Sequence, residues 1–274
     1  MSMTVRTNIA SMQAAGQLAR TQKHLSRTLG RISSGMRITK AADDAAGLGV
    51  ATALETDVIS TKQAMRNAND GISIIQTAES ATNEVTDILQ RMRELAVQSA
   101  SGTLANEERS YIQDEFLQLR SEVQRIAAVT EFNGVSLTAS GVTTIQVQVG
   151  IQSDSSSRLT ITLGDLTTAT LGIDTISLQS ATGARAALDF LDTALGSVNS
   201  TRSQFGAVQN RLESALNNAQ IYTEALAAAE SQIRDADFAV ETSELTKLQI
   251  MQQAGVASLA QAKNINQSVI SLLS

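Results

Sequence analysis

The sequence has no proline, no cysteine and no tryptophan, a single histidine, and only 3% aromatic residues over its 274 positions. Without proline, nothing in the chain forbids long uninterrupted helices. Without cysteine there is no disulfide framework, no thiolate nucleophile and no zinc site of the Cys type. The shortage of aromatics leaves Leu, Ile, Val, Met and Ala to build any core. That composition suits helices packed closely on helices better than a large enzyme pocket. No apolar run approaches the roughly 20 residues of a membrane span, and no apolar core of a cleavable signal peptide is visible.

What is present is unevenly placed. Residues 1–42 contain Arg6, Arg20, Lys23, Arg27, Arg31, Arg37 and Lys40 and not one Asp or Glu. Residues 224–274 carry Glu224, Glu230, Asp235, Asp237, Glu241 and Glu244 against Arg234, Lys247 and Lys263. Opposite charge at the two ends favours pairing one end with the other. A basic targeting peptide or nucleic-acid arm is the competing reading of the first stretch.

Apolar residues recur at alternating spacings of three and four in four places, each long enough to read as helix. The stripes are Ala15, Leu18, Leu25, Leu29, Ile32 and Met36; then Ile74, Ala78, Ala81, Val85, Ile88, Met92 and Leu95; then Ile112, Phe116, Leu119, Val123 and Ile126; and finally Leu188, Leu191, Leu195, Val198, Phe205 and Leu212. The last segment, 245–273, is apolar on two sides. Leu245, Leu248, Val256 and Leu259 make one stripe, and Met251, Ala254, Ala262, Ile265, Val269 and Leu272 make another. A helix apolar on two sides needs cover on two sides. The N-terminal helix can supply one cover, and a second copy of the chain the other.

The middle differs. From Val135 to Leu178 the chain is rich in Ser, Thr, Val, Ile and Gly. Ile145, Val147, Val149 and Ile151 alternate with polar or small residues, as do Leu159, Ile161 and Leu163, with Asp154-Ser155-Ser156-Ser157 between them. This period of two predicts a β-hairpin. The fold class is therefore mainly α: an elongated helical bundle with terminal coiled-coil helices and a small β-hairpin insert. Breaks are expected at Ser33-Ser34-Gly35, where Gly35 supplies a left-handed residue, at Asp43 or Asp44 as a helix cap, at Ser101-Gly102-Thr103, and at Phe132-Asn133-Gly134.

Catalytic chemistry is not in view. His24 has no partner with metal-ligand spacing. Asp43 and Asp44 are adjacent and would point to different faces of a helix. No serine lies in a nucleophile elbow and no glycine-rich stretch has phosphate-loop spacing. Gly47 and Gly49 read as close helix packing.

Several segments carry a resemblance. Ile32-Ser33-Ser34-Gly35-Met36-Arg37-Ile38 followed by Ala41-Ala42-Asp43-Asp44-Ala45-Ala46-Gly47-Leu48 is similar to the N-terminal signature of bacterial flagellins. So are Arg66-Asn67-Ala68-Asn69-Asp70-Gly71-Ile72-Ser73 and Leu89-Gln90-Arg91-Met92-Arg93-Glu94-Leu95-Ala96-Val97-Gln98-Ser99-Ala100. Near the other end, Gly206-Ala207-Val208-Gln209-Asn210-Arg211, Gln249-Ile250-Met251-Gln252-Gln253-Ala254-Gly255, Leu259-Ala260-Gln261-Ala262 and Leu272-Leu273 resemble the same family. The resemblance covers roughly 1–138 and 181–274. Arg6-Thr7-Asn8 and Asn264-Ile265-Asn266-Gln267 depart from the usual family pattern, which touches details of the inner coil.

The resemblance implies a non-enzymatic, cofactor-free subunit of an extracellular bacterial flagellar filament. Residues 1–43 and 226–274 would form the two parts of an inner coiled-coil domain, and 44–225 an outer helical bundle with its β insert at about 135–180. The large outer domains that many family members insert in mid-chain are missing. Polymerisation through the inner coil is expected to use Leu18, Leu25, Leu29, Ile32, Leu245, Leu248, Val256, Leu259, Val269 and Leu272, with the terminal helices folding on assembly. Implied partners are further copies of the chain, the filament cap, the hook–filament junction proteins and an export chaperone at the C-terminal region, with export through the flagellar type III apparatus and no cleavage. Nucleic acid and membrane insertion are not expected. The family also implies an animal Toll-like receptor as a partner, at a patch matching Gln90, Arg91, Leu95 and Glu115. Packing of Leu95 in the stripe with Ile88 and Met92 competes with that role. A hook–filament junction protein, a membrane-entering translocator and an enzyme are the rival readings.

Overall fold

The computed structural model describes residues 7–139 and 144–273, with side chains described to Asn264. In chain order the elements are α1 (Ile9–Ser34), α2 (Ala45–Ser99), α3 (Asn106–Val129), the two-residue strands β1 (Glu131–Phe132) and β2 (Val135–Ser136), β3 (Thr144–Gln148), β4 (Arg158–Thr162), α4 (Ala181–Arg234) and α5 (Phe238–Leu273). The chain is mainly α, as its periodicity predicts. It divides into two compact units, residues 1–56 with 225–274, and residues 57–224.

In the second unit, α2, α3 and α4 bury their apolar stripes together. Val85, Leu89, Met92 and Leu95 of α2 meet Ile112, Phe116, Val123 and Ile126 of α3 and Ala184, Leu191 and Val198 of α4. Buried Thr82 and Thr86 sit among them because each hydroxyl donates to the carbonyl four residues back, Ala78 at 2.7 Å and Thr82 at 2.8 Å. A hydroxyl so satisfied carries little burial penalty.

The predicted hairpin is present. β3 and β4 pair antiparallel with Ile145 opposite Ile161 and Val147 opposite Leu159. Its apolar side covers α2 and α4 through Val147, Leu159 and Ile161 against Ala68, Ile75, Phe205 and Leu212. Gly71 of α2 makes room for it, since a Cβ there would stand 3.1 Å from Val147. β1 and β2 form a smaller hairpin that the sequence reading treats only as a break. Its turn is Asn133-Gly134, both with positive φ (50° and 77°). Two left-handed residues in a two-residue loop match the twist of paired strands, and Asn-Gly is the pair that tolerates them.

The segment between β4 and α4 has no periodicity, yet it closes the core with Leu166, Leu171, Ile173, Ile176 and Leu178. Side chains from α2 and α3 hold it. Gln113 accepts from the Leu178 amide and Ser99 donates to the Leu178 carbonyl, both at 2.5 Å. Arg120 donates to the Asp174 carbonyl. The buried Arg109 guanidinium donates to the carbonyls of Ser99 at 2.9 Å and Ser101 at 2.8 Å and to Asn106 Oδ1 at 3.1 Å. It thereby satisfies free carbonyls where α2 ends.

Candidate functional site

The first unit is organised by α1 and α5. α1 ends where expected, at Gly35, whose φ of 71° is left-handed. Asn8 caps its start by accepting from the Ser11 amide, and donates across to the Ala262 carbonyl at 2.9 Å. At the other end Arg31 meets Glu241 at 3.1 Å. The two helices therefore run antiparallel. The side of α1 turned to α5 follows alternating steps of three and four through Ser11, Ala14, Leu18, Thr21, Leu25, Thr28 and Ile32; α5 answers with Glu241, Leu245, Leu248, Gln252, Gly255, Leu259 and Ala262. This is a coiled-coil seam by spacing, with small and polar residues at several of its positions.

Most expected seam residues lie on it: Leu18, Leu25, Ile32, Leu245, Leu248 and Leu259. Leu29 and Val256 do not. They are 47% and 53% exposed, because each lies one residue, about 100°, past the seam positions Thr28 and Gly255. Val269 and Leu272 belong to α5 but their side chains lie outside the described residues. The sequence reading missed Thr21, Thr28, Gln252 and Gly255 because it followed apolar residues alone. The even spacing of three and four would have found them. Beyond the seam, Ile9, Met12, Leu29, Phe238, Val240, Ile250, Met251 and Val256 present apolar surface that the chain itself leaves open.

The breaks in the two chain ends lie side by side. The Arg37 amide donates to the Arg234 carbonyl at 2.7 Å and the Ala236 amide to the Gly35 carbonyl at 2.9 Å, which forms a bridge between Met36 and Asp235. The Arg37 guanidinium reaches the Ile233 carbonyl. Arg234 is held by Glu55 at 2.8 Å and Glu230 at 3.2 Å, and the hydrogen bond it donates to Glu55 is the main reason that its pKa is raised further. Asp44, not Asp43, caps α2, accepting from the Gly47 amide. Asp43 instead accepts from Thr39 and faces Arg27 at 3.8 Å. Ile38 packs against Gly47, where any Cβ would collide; Gly49 has open space instead of the close packing expected of it.

The patch on α2 divides between surface and core. Gln90, Arg91 and Glu115 are exposed, whereas Leu95 is 2% exposed inside the core with Met92. Leu95 is thus a packing residue and presents nothing to solvent. Arg91 donates from Nη2 to Glu115 Oε1 at 2.8 Å and from Nη1 to Glu94 at 2.9 Å, which raises the arginine pKa. One step along, Arg93 grips Asp192 of α4 at 2.6 Å, and this hydrogen bond holds the aspartate below the usual carboxylate range. His24 is exposed on α1. Among the described residues no group of acidic, His or Cys side chains is placed to hold a metal ion, and no helix is long and apolar enough to cross a membrane.

A seam joining the two chain ends, with a second apolar surface left uncovered beside it, defines a class: self-associating helical subunits. The comparisons narrow it. Residues 5–143 match the family described as "Bacterial flagellin N-terminal helical region" and residues 188–273 match "Bacterial flagellin C-terminal helical region". A flagellin of Halalkalibacterium halodurans is 41% identical over 271 residues, covering 99% of this chain and all of the relative. The flagellar filament 33 kDa core protein of Treponema phagedenis is 39% identical over 285 residues, with the same coverage. The crystal structure of Bacillus cereus flagellin aligns with a TM-score of 0.50 at 34% identity, over 56% of this chain and 88% of that one. This chain belongs to the bacterial flagellin family, in a short form without large outer domains.

Proposed function

We propose that this chain is a structural subunit that polymerises into a bacterial flagellar filament for motility. The observation that carries it is the half-covered state of α1 and α5, each with one face on the other and apolar residues open on a second. A subunit that repeats without closing forms an open helical filament. In this reading 1–43 and 226–274 form the inner coil and 44–225 the outer bundle. The protein is exported uncleaved through the flagellar type III apparatus, with a chaperone on the C-terminal region. It assembles outside the cell between junction proteins and a distal cap, and it has no enzymatic role. Negative-stain microscopy of concentrated, salt-treated protein tests the reading: wild type gives long filaments. Leu248 is 3% exposed in the seam. Leu248→Asp, which puts a charge into it at a cost of several kcal/mol, gives none, while the helical content of 57–224 persists. Normal filaments from Leu248→Asp, or none from wild type, contradict the reading.

A second reading concerns the exposed ion-paired patch of Gln90, Arg91 and Glu115. The fixed geometry of Arg91 on Glu115, with Gln90 beside it, suits recognition by an animal Toll-like receptor of released monomer. Arginine is frequent among residues that dominate protein interfaces.

A further inference from the structure

α1 holds more positive charge than its own chain neutralises. Arg20, Lys23 and Arg27 lie at steps of three and four on the side of α1 turned away from the seam, and all are exposed. Arg27 has a long ion pair with Asp43 at 3.8 Å. Arg20 and Lys23 have no hydrogen-bond or ion-pair partner among the described residues. Among the described residues, pairing of basic and acidic ends is realised between α1 and α5 only at Arg31 and Glu241. The stretch of α5 that runs beside Arg20 and Lys23, residues 248–262, contains no Asp or Glu.

The missing acid lies elsewhere on the same helix. Asp237 caps the start of α5, its Oδ1 accepting from the Ala239 and Val240 amides, with the residue itself exposed; Glu244, half-buried, has only Lys247 of its own helix as an ionic partner among the described residues. The contacts of Arg31 with Glu241 and of Leu18 with Gly255 put Glu244 level with the α1 turn that holds Arg27, and about 8–9 Å along the axis from Lys23. A neighbour at the same height would set Arg20 and Lys23 against a stretch of α5 that holds no acid. A neighbour displaced along the helix axis sets acid against base. In line with the basic residues, Gly16 and Gly30 have open space where a side chain would stand. Glycine is unfavourable inside a helix, and nothing among the described residues requires it at these two positions.

We infer that the outward face of α1, through Arg20, Lys23 and Arg27, is a contact between copies of this chain, meeting Asp237 and Glu244 of a neighbour displaced along the helix axis. The inference rests on the filament reading and adds to it a face, a charge pairing and a stagger. Complementary charge at such a contact sets register and the choice of partner. The displacement it requires is the kind that successive subunits of an open helical polymer have.

The test measures the critical concentration for elongation from seeds, by sedimentation, using the full chain. Lys23→Glu raises it about tenfold at low salt, the sum of a lost attraction and a new repulsion at the surface. Lys23→Gln gives a smaller rise. Adding Glu244→Lys to Lys23→Glu in the same chain restores it to within about threefold, as a swapped pair should. The gap between wild type and Lys23→Glu narrows as NaCl screens it. Elongation of Lys23→Glu at the wild-type concentration overturns the contact, and failure of Glu244→Lys to rescue overturns the pairing. Binding of monomer to phosphatidylglycerol vesicles that Lys23→Glu abolishes, with elongation unchanged, assigns the face to a membrane surface and also overturns it. If wild type does not elongate from its own seeds, the filament reading itself fails.

Discussion

Gly255 of α5 lies beneath Leu18 of α1, and a Cβ built on it would stand 3.3 Å from Leu18 Cδ1. The seam is close here because one partner has no side chain. Gly255→Ala needs Leu18 to yield by a few tenths of an ångström, and the half-buried Leu18 can do so. The alanine also favours the helix by about 0.5–1 kcal/mol over glycine. We expect Gly255→Ala to form filaments and Gly255→Leu to form none. Gly255→Leu combined with Leu18→Ala should recover them, because volume is exchanged across the seam. Filament yield by sedimentation decides, and normal yield from Gly255→Leu alone would show that the helices do not meet here.

The two units differ in how much they bury. Among the described residues, the buried apolar side chains of 1–56 and 225–274 are Ile38, Ala51, Leu226 and Leu248; the rest lie in 57–224. Only Leu248 belongs to the α1–α5 seam. Isolated helices are marginal in water, and a seam containing Thr21, Thr28, Gln252 and Gly255 adds little. Hydrogen exchange on monomer should therefore show α1 and α5 exchanging far faster than Val85–Met92, with protection appearing on assembly. Equal protection of Leu18–Ile32 and Val85–Met92 in monomer would refute this.

Arg109 closes the end of α2 with a fork that reaches two carbonyls and Asn106. Removing it leaves buried carbonyls without a donor. Arg109→Ala should destabilise 57–224 by about 2–4 kcal/mol, given charged hydrogen bonds lost together with unsatisfied acceptors. Arg109→Lys should recover little, since an ammonium cannot reproduce the planar fork. Denaturant unfolding of the three proteins measures both.

Acid should weaken the same unit. Asp192 is held below its ordinary range by the hydrogen bond from Arg93, and Glu122 by that from Arg125. Groups depressed on folding contribute stability that is present above their unfolded pKa, about 4, and lost as pH falls through the folded value. Tm should fall between about pH 5 and pH 3, and fall less in Asp192→Asn. Both partners are about half exposed, so the difference is small and salt-sensitive. Identical Tm profiles for wild type and Asp192→Asn would remove this pair from the account.

Much of the fold is legible in the sequence because periodicity is read from many residues at once. The four helical stripes and the 145–163 hairpin show this, and Gly35 and the Asp43–Asp44 cap were legible from local chemistry. What was not legible has physical reasons. Thr21 and Thr28 occupy seam positions, and Thr21 offers its hydroxyl to Gln17 four residues back, so a polar residue fills an apolar slot without a signal in hydropathy. The 163–180 segment buries leucines at irregular intervals and is fixed by Gln113, Ser99 and Arg120 from other elements, which no local pattern encodes. Leu95 fitted both a surface patch and a core stripe, and only packing against α3 and α4 separates the two.

That separation makes the last prediction. Leu95 is buried and Arg91 is exposed, so their substitutions should fail differently. Leu95→Ala opens a cavity and should cost about 2–5 kcal/mol, reducing potency on any receptor through unfolding. Arg91→Ala removes a surface ion pair and should leave Tm close to that of wild type. If the patch is a receptor contact, Arg91→Ala monomer should nevertheless lose potency on Toll-like-receptor reporter cells by about tenfold or more, as hot-spot arginines do. Glu115→Ala, which frees Arg91 from its partner on α3, should lower potency less, because the guanidinium keeps Glu94. Full potency of folded Arg91→Ala monomer would leave Arg91 with a structural ion pair and no receptor role.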